Sequence, residues 1–235
     1  MTDAATSPPV LAPGEHFAEI NGFTMHYTVR GTGPLLLLPA SGWGPAVSYL
    51  LPIPVLEQHC TVVYFDTRRS GGSTGPEDPA EYTLEHFVAD IDALRMHLGA
   101  DRVFLAGHSG GGHQALAYGI EHSDHLLGIL AIDAIVAADA ARSDRMMRRI
   151  EERWRQPDPL AAPDSVDDAM RLMRDGAAGR RPTIEQVLDA TVEFYFHDPE
   201  QAGDVFRAME FDDAVLGYTE TVSYTHLTLP TNREV

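Results

Sequence analysis

Gly107-His108-Ser109-Gly110-Gly111 constrains this chain more than any other stretch. The apolar run Arg102-Val103-Phe104-Leu105-Ala106 precedes it and reads as a buried strand. Residues 111–121, rich in Ala and Gly, follow it and read as a helix. A strand that turns into a helix through one serine forces that serine into a strained backbone conformation. Its neighbours must then be small, because strand and helix meet there. The first N–H groups of the helix have no partner inside it and converge on one spot. That spot suits an oxygen on which negative charge develops. Ser109 is therefore the candidate nucleophile, and the backbone N–H of Gly110 a candidate donor. The bland alternative is a glycine-rich loop that only lets a strand pack against a helix.

The rest of the chain supplies a setting for that turn. Residues 16–20 and 23–30 alternate apolar and polar positions around Asn21-Gly22, a dipeptide that favours a tight hairpin. Leu35–Leu38, Thr61–Phe65 and Leu126–Ile132 are continuous apolar runs, as strands covered on both faces are. Ala46–Gln58 has helical character broken by Pro52 and Pro54. Thr83–Leu98 places Leu84, Phe87, Val88, Ile91, Leu94 and Leu98 at a helical period. Strands alternating with helices predict an α/β fold with a doubly wound, mostly parallel sheet. After Asp133 the pattern turns helical, punctuated by Pro157, Pro159, Pro163 and Pro182. The organisation expected is a Pro-rich disordered tail over 1–14, a core over 15–136, a helical segment over 137–221, and a foreign-looking tail over 222–235.

Charge and composition exclude several classes of function. The chain has 235 residues and a formal net charge of −18. Such a balance repels nucleic acid and anionic membrane surfaces, so neither is expected as a partner. All 17 cationic residues are arginine, which points to a GC-rich bacterial coding sequence. The single cysteine, Cys60, cannot build a disulfide framework and is expected as a buried structural thiol. The N-terminus lacks a basic region followed by an apolar one, so a cytoplasmic location is expected. Asp133 and Asp139 break the apolar window 126–141, which rules it out as a membrane span.

Several motifs now fall in the order of one family. Leu35–Gly44, LLLLPASGWG, looks like a strand with the loop that often reads H-G-G-P-G. Asp66–Ser73, DTRRSGGS, looks like D-x-R-G-x-G-x-S. With the helix, serine turn, helix and strand of 82–133, the chain resembles the prolyl-iminopeptidase-like α/β-hydrolases. It departs from them at Pro39-Ala40-Ser41, where His-Gly is usual, and at Arg69, where Gly is usual. The resemblance implies a serine hydrolase working through an acyl-enzyme on a small peptide, amide or ester, without cofactor or metal. It makes Ser109 the nucleophile and Gly110 one oxyanion donor, with Gly42 or Trp43 the other. It makes 137–221 a lid, in which Glu193 is the candidate for holding a free amine. Asp66 and Arg68 are expected to brace the loop after the fourth strand. A carboxylesterase or carbon–carbon-bond hydrolase is the alternative, and a ligand-binding homologue without catalysis the rival from another class.

A serine nucleophile needs a histidine, and in this family the order is Ser, acid, His. His108 and His113 adjoin Ser109 with side chains expected to point away. His122 and His125 lie at the other end of the sheet, and His197 lies in the lid. His226 alone is in the right order near the C-terminus. Its surroundings, VSYTHLTLPT over 222–231, break from the composition before them, and one reverse translation resembles the adapter end of transposon-made sequencing libraries. The tail is thus expected to be non-native, the sheet's final strands missing and this copy inactive. Asp133 is a candidate acid or a loop residue.

Overall fold

The computed structural model describes residues 10–41, 44–52 and 54–134, with scattered positions between 144 and 171. Six strands form one mixed sheet: β1 (Gly14–Ile20), β2 (Phe23–Gly31), β3 (Leu35–Pro39), β4 (Thr61–Phe65), β5 (Val103–His108) and β6 (Leu126–Ile132). Their spatial order is β1-β2-β4-β3-β5-β6. The β1–β2 and β2–β4 pairs are antiparallel, and β4, β3, β5 and β6 run parallel. The hairpin turn is Asn21-Gly22, with φ of 45° and 87°. Two positive φ values in succession suit the right-handed twist of a hairpin, and Asn with Gly tolerates them best.

The apolar runs split by parity between two faces. Leu37, Val63 and Leu105 join Met25, Val88, Ile91, Leu94 and Tyr118 in the larger core cluster. Leu36, Leu38, Val62, Tyr64 and Ala106 form the second, with Val47 and Leu50. Helices α1 (Leu84–His97) and α2 (Gly110–Glu121) supply the cover of the first face. On the second face the expected helix over 46–58 is instead two 3₁₀ turns, Val47–Leu50 and Leu56–Gln58. Pro52 and Pro54 remove the N–H groups that a continuous helix would use there.

Two further expectations are corrected. Residues 10–14, assigned to the tail, are laid against the sheet: Tyr27 donates to the Val10 carbonyl at 3.0 Å, and His16 Nε2 sits 2.6 Å from the Ala12 carbonyl. Cys60 is half-buried rather than buried, at the entrance to β4. Helical positions occur between 144 and 171. The rest of 137–221, and all of 222–235, lie outside the described residues. Among the described residues no helix is long and apolar enough to cross a membrane.

A buried ion pair ties the hairpin to α1. Arg68 sets Nε 2.5 Å and Nη2 2.9 Å from the Asp90 carboxylate, and donates through Nη1 to the Glu81 carbonyl at 2.7 Å. Asn21 donates to the same carboxylate at 2.8 Å, and the guanidinium lies over the Phe23 ring. With every charge answered, the pair can sit 2–3% exposed.

At the edge of the described sheet, β6 carries four exposed apolar side chains: Leu127 at 46%, Ile129 at 37%, Leu130 at 45% and Ile132 at 39%. Full cover of one such side chain is worth about 1.5–3 kcal/mol, and an apolar edge templates pairing with other chains. The 25.7 kDa chain is therefore expected to elute from a sizing column as an oligomer. Leu130→Lys should move it toward the monomer position. Elution as a monomer before substitution would show that the edge is covered in solution.

Candidate active site

The turn from β5 to α2 has the geometry that its residue types demand. Ser109 stands between the two elements with φ 53° and ψ −117°. A non-glycine residue holds such a conformation only when its surroundings impose it, at a cost of about 1–3 kcal/mol. The surroundings here are backbone. The Ser109 N–H donates to the Ile132 carbonyl at the end of β6 at 2.9 Å, and the Ser109 carbonyl accepts from the His113 N–H at 3.2 Å.

The glycines are small for steric reasons. A Cβ on Gly107 would lie 2.2 Å from the Gly111 carbonyl oxygen, and one on Gly112 would lie 2.6 Å from Ala134 Cβ. A Cβ on Gly111 would meet the Pro39 and Ala40 carbonyl oxygens at 3.3 and 3.4 Å. The last contacts press the end of β3 against the first turn of α2. The segment that leaves β3 through Ser41 therefore begins beside the nucleophile turn.

Ser109 occupies the N-cap of α2 yet makes no side-chain cap hydrogen bond. Serine at that position usually caps the helix with its hydroxyl. Here Oγ is left for other use, and so are the N–H groups of Gly110 and Gly111, which precede the first intrahelical bonds. Gly42, Trp43, Glu193, His197 and His226 lie outside the described residues. Two histidines adjoin the turn. His108 Nδ1 lies 3.0 Å from the Tyr49 hydroxyl, and His113 is buried within α2. His122 and His125 bracket the short turn before β6, at the opposite end of that strand. Asp133 follows β6 directly with φ 44°, and its charge acts on His108.

Asp66 does more than brace the loop after β4. One carboxylate oxygen accepts from the Val47 N–H at 2.6 Å. The other accepts from the Gly72 N–H at 3.0 Å and lies 2.7 Å from His26 Nδ1. It thus fastens the turn 47–50, the loop 67–73 and strand β2 to one point. Sequence reasoning missed the links to Val47 and His26, because they join segments 19 and 40 residues away. It also missed Tyr49, which sat inside the helix expected over 46–58. Among the described residues no group of three or more His, Cys, Asp or Glu is placed to hold a metal ion.

Two outcomes test this geometry. Gly107→Ala should cost about 2–3 kcal/mol, read as a lowered urea midpoint, because the new methyl collides with backbone. Gly99→Ala is the control: its Cβ enters open space at φ +70°, so only the left-handed conformation is penalised, by about 1 kcal/mol. Equal costs at the two positions would contradict the close approach. The second outcome concerns His26, whose pKa is raised, chiefly by its hydrogen bond to Asp66 and against the opposing effect of burial. A raised folded pKa means stability that is complete below about 6.5, the unfolded value, and lost as pH rises through the folded value. The difference in urea midpoint between the parent chain and His26→Gln should therefore shrink as pH is raised above 6.5. A difference that grows would reverse the assignment.

The fold has counterparts among known proteins. Residues 34–168 match the family model described as alpha/beta hydrolase fold. A proline iminopeptidase of Saccharolobus solfataricus is 30% identical over 135 residues, covering 57% of this chain and 43% of that protein. A soluble epoxide hydrolase of Corynebacterium is 34% identical over 122 residues, 51% of this chain and 41% of its own length. The chain thus spans less than half the length of these curated relatives. An alpha/beta fold family hydrolase from Bacillus anthracis superposes with a TM-score of 0.61 at 18% identity, covering 89% of this chain and 73% of that one. With six strands, a serine turn between β5 and α2, and a family match over more than half its length, the chain belongs to the α/β-hydrolase fold family.

Proposed function

We propose that the chain is the nucleophile-bearing part of a serine hydrolase that acts through an acyl-enzyme on a small peptide, amide or ester. The observation that carries this reading is Ser109 at φ 53°, at the head of α2, with its hydroxyl unused as a cap. Its Oγ would attack a carbonyl carbon while a base takes its proton. The N–H of Gly110, with a donor from the segment after β3, Gly42 or Trp43, would hold the oxyanion. Collapse would expel the amine or alcohol, and water would then release the acid.

The nucleophile's identity separates this reading from two chemistries found among the relatives, an epoxide hydrolase and a fluoroacetate dehalogenase. Attack by a serine on a saturated carbon would leave an ether, which water does not cleave. Attack on a carbonyl leaves an ester, which it does. The iminopeptidase form additionally needs a carboxylate for the free amine, for which Glu193 is the candidate. An esterase does not. We place the base outside the described residues and do not assign it to His226, whose surroundings break from the composition before them.

The test is acylation rather than turnover. Incubated with p-nitrophenyl acetate at pH 9, where hydroxide can serve as base, the chain should gain one acetyl group. Peptide mass spectrometry should place it on Ser109, and Ser109→Ala should abolish it. Multiple turnover should be negligible. Acetylation spread over the other serines would overturn the nucleophile assignment. A rapid turnover lost in His226→Ala would keep the nucleophile and make the C-terminal tail native.

A further inference from the structure

We propose that Tyr49 is a positioning residue of this site, its hydroxyl linking the segment that leaves β3 to His108, the residue before the nucleophile. The proposal rests on the reading of Ser109 as nucleophile and of the segment after β3 as an oxyanion donor.

The placement of Tyr49 is rigid. The 3₁₀ turn that carries it is fixed at its first residue by the Val47 N–H on Asp66, and Val47 and Leu50 are buried in the second core cluster. From that anchor the Tyr49 ring reaches His108, with ring centroids 5.8 Å apart and the hydroxyl 3.0 Å from Nδ1. Ser41 is 2% exposed, and its own hydroxyl has no hydrogen-bond partner among the described residues. Tyr49, carried by the segment after β3, thus reaches the turn after β5 through its ring and hydroxyl.

Proton positions follow from the environment. Burial lowers the His108 pKa, against an opposing effect of Asp133, and burial raises that of the Tyr49 phenol. Both groups are therefore neutral at pH 7.5. A neutral phenol beside a neutral imidazole donates its proton to the bare ring nitrogen. The donation runs from the Tyr49 O–H to His108 Nδ1. His108 then carries its own proton on Nε2. One hydroxyl so fixes the tautomer of the residue before Ser109.

Magic-angle-spinning NMR of the 235-residue chain labelled with ¹⁵N-histidine reads the tautomer from soluble or sedimented protein alike. His108→Gln assigns the His108 signals by difference. At pH 7.5 we expect an unprotonated Nδ1 and a protonated Nε2. Tyr49→Phe should move the Nδ1 signal and mix the tautomers while the His26 signals, held by Asp66, stay in place and report an intact fold. It should also slow acetylation of Ser109 by p-nitrophenyl acetate about tenfold, whereas Tyr64→Phe, whose hydroxyl bonds Glu57 on the far side of the second core, should not. A proton on Nδ1 in the parent chain, or spectra unchanged in Tyr49→Phe, would overturn the link. A lost link with an unchanged acetylation rate would overturn the positioning role. Failure of Ser109 to acetylate in the parent chain would instead remove the serine reading, and with it the reaction that Tyr49 is proposed to serve.

Discussion

The constraint on which the site depends is the close approach of three pieces of backbone around Ser109. The end of β5, the first turn of α2 and the residues after β6 meet with no room for side chains. Gly107 touches the Gly111 carbonyl, Gly112 touches Ala134, and the Ser109 N–H reaches the Ile132 carbonyl. This packing holds a serine at φ 53°, which its own preferences oppose. The strain is borne by the core beneath it, where Leu105 and Ala106 are fully buried on opposite faces of β5. A loop could not impose it. The conformation of Ser109 is therefore a consequence of sheet and helix packing, not of any property local to the residue.

Asp66 plays the same part for the neighbouring loops. A carboxylate at the end of a buried strand accepts hydrogen bonds from three elements that share no sequence neighbourhood. Each bond is worth only about 1 kcal/mol or somewhat more to a charged acceptor. Their combined effect is geometric: they fix where the turn 47–50 sits over the second face, and with it Tyr49.

The strands and the strand–serine–helix turn were legible because each depends on local pattern. The run 61–65 gave β4, which is buried on both faces and needs no alternation to be recognised, and the run 126–132 gave β6, although its apolar side chains stand exposed at the edge of the described sheet. Thr83–Leu98 anticipated α1 to within a residue at each end, its period carried by Val88, Ile91 and Leu94. The segment 46–58 failed for a physical reason: Pro52 and Pro54 permit helical φ values but deny the N–H groups, so only single 3₁₀ turns survive. Pairings such as Asp66 with His26, or Tyr49 with His108, have no local signature. They depend on which strands become neighbours and on side-chain length across the gap. The oxyanion partners chosen from the sequence, Gly42 and Trp43, stand outside the described residues, and Ser41 is the nearest position whose surroundings are known.

Backbone strain also gathers largely at one edge of the sheet. Among the described residues four non-glycine positions have positive φ: Asn21, Arg69, Ser109 and Asp133. Asn21 is in the hairpin, where asparagine meets the need at little cost. The other three follow the carboxyl ends of β4, β5 and β6, parallel strands of one sheet. Glycine would relieve each of them, and the family pattern does place glycine where this chain has Arg69. Arg69 is held by its N–H on the Thr74 carbonyl at 2.9 Å and by an exposed ion pair with Glu77, neither of which offsets much strain. A residue kept in an unfavourable conformation must be supported by its surroundings, and the surroundings here are the ends of the parallel strands. In open α/β sheets that edge is where ligands bind. The strained positions of this chain thus gather at the edge where such sheets bind ligands, and Ser109 is the one with a hydroxyl unused as a helix cap.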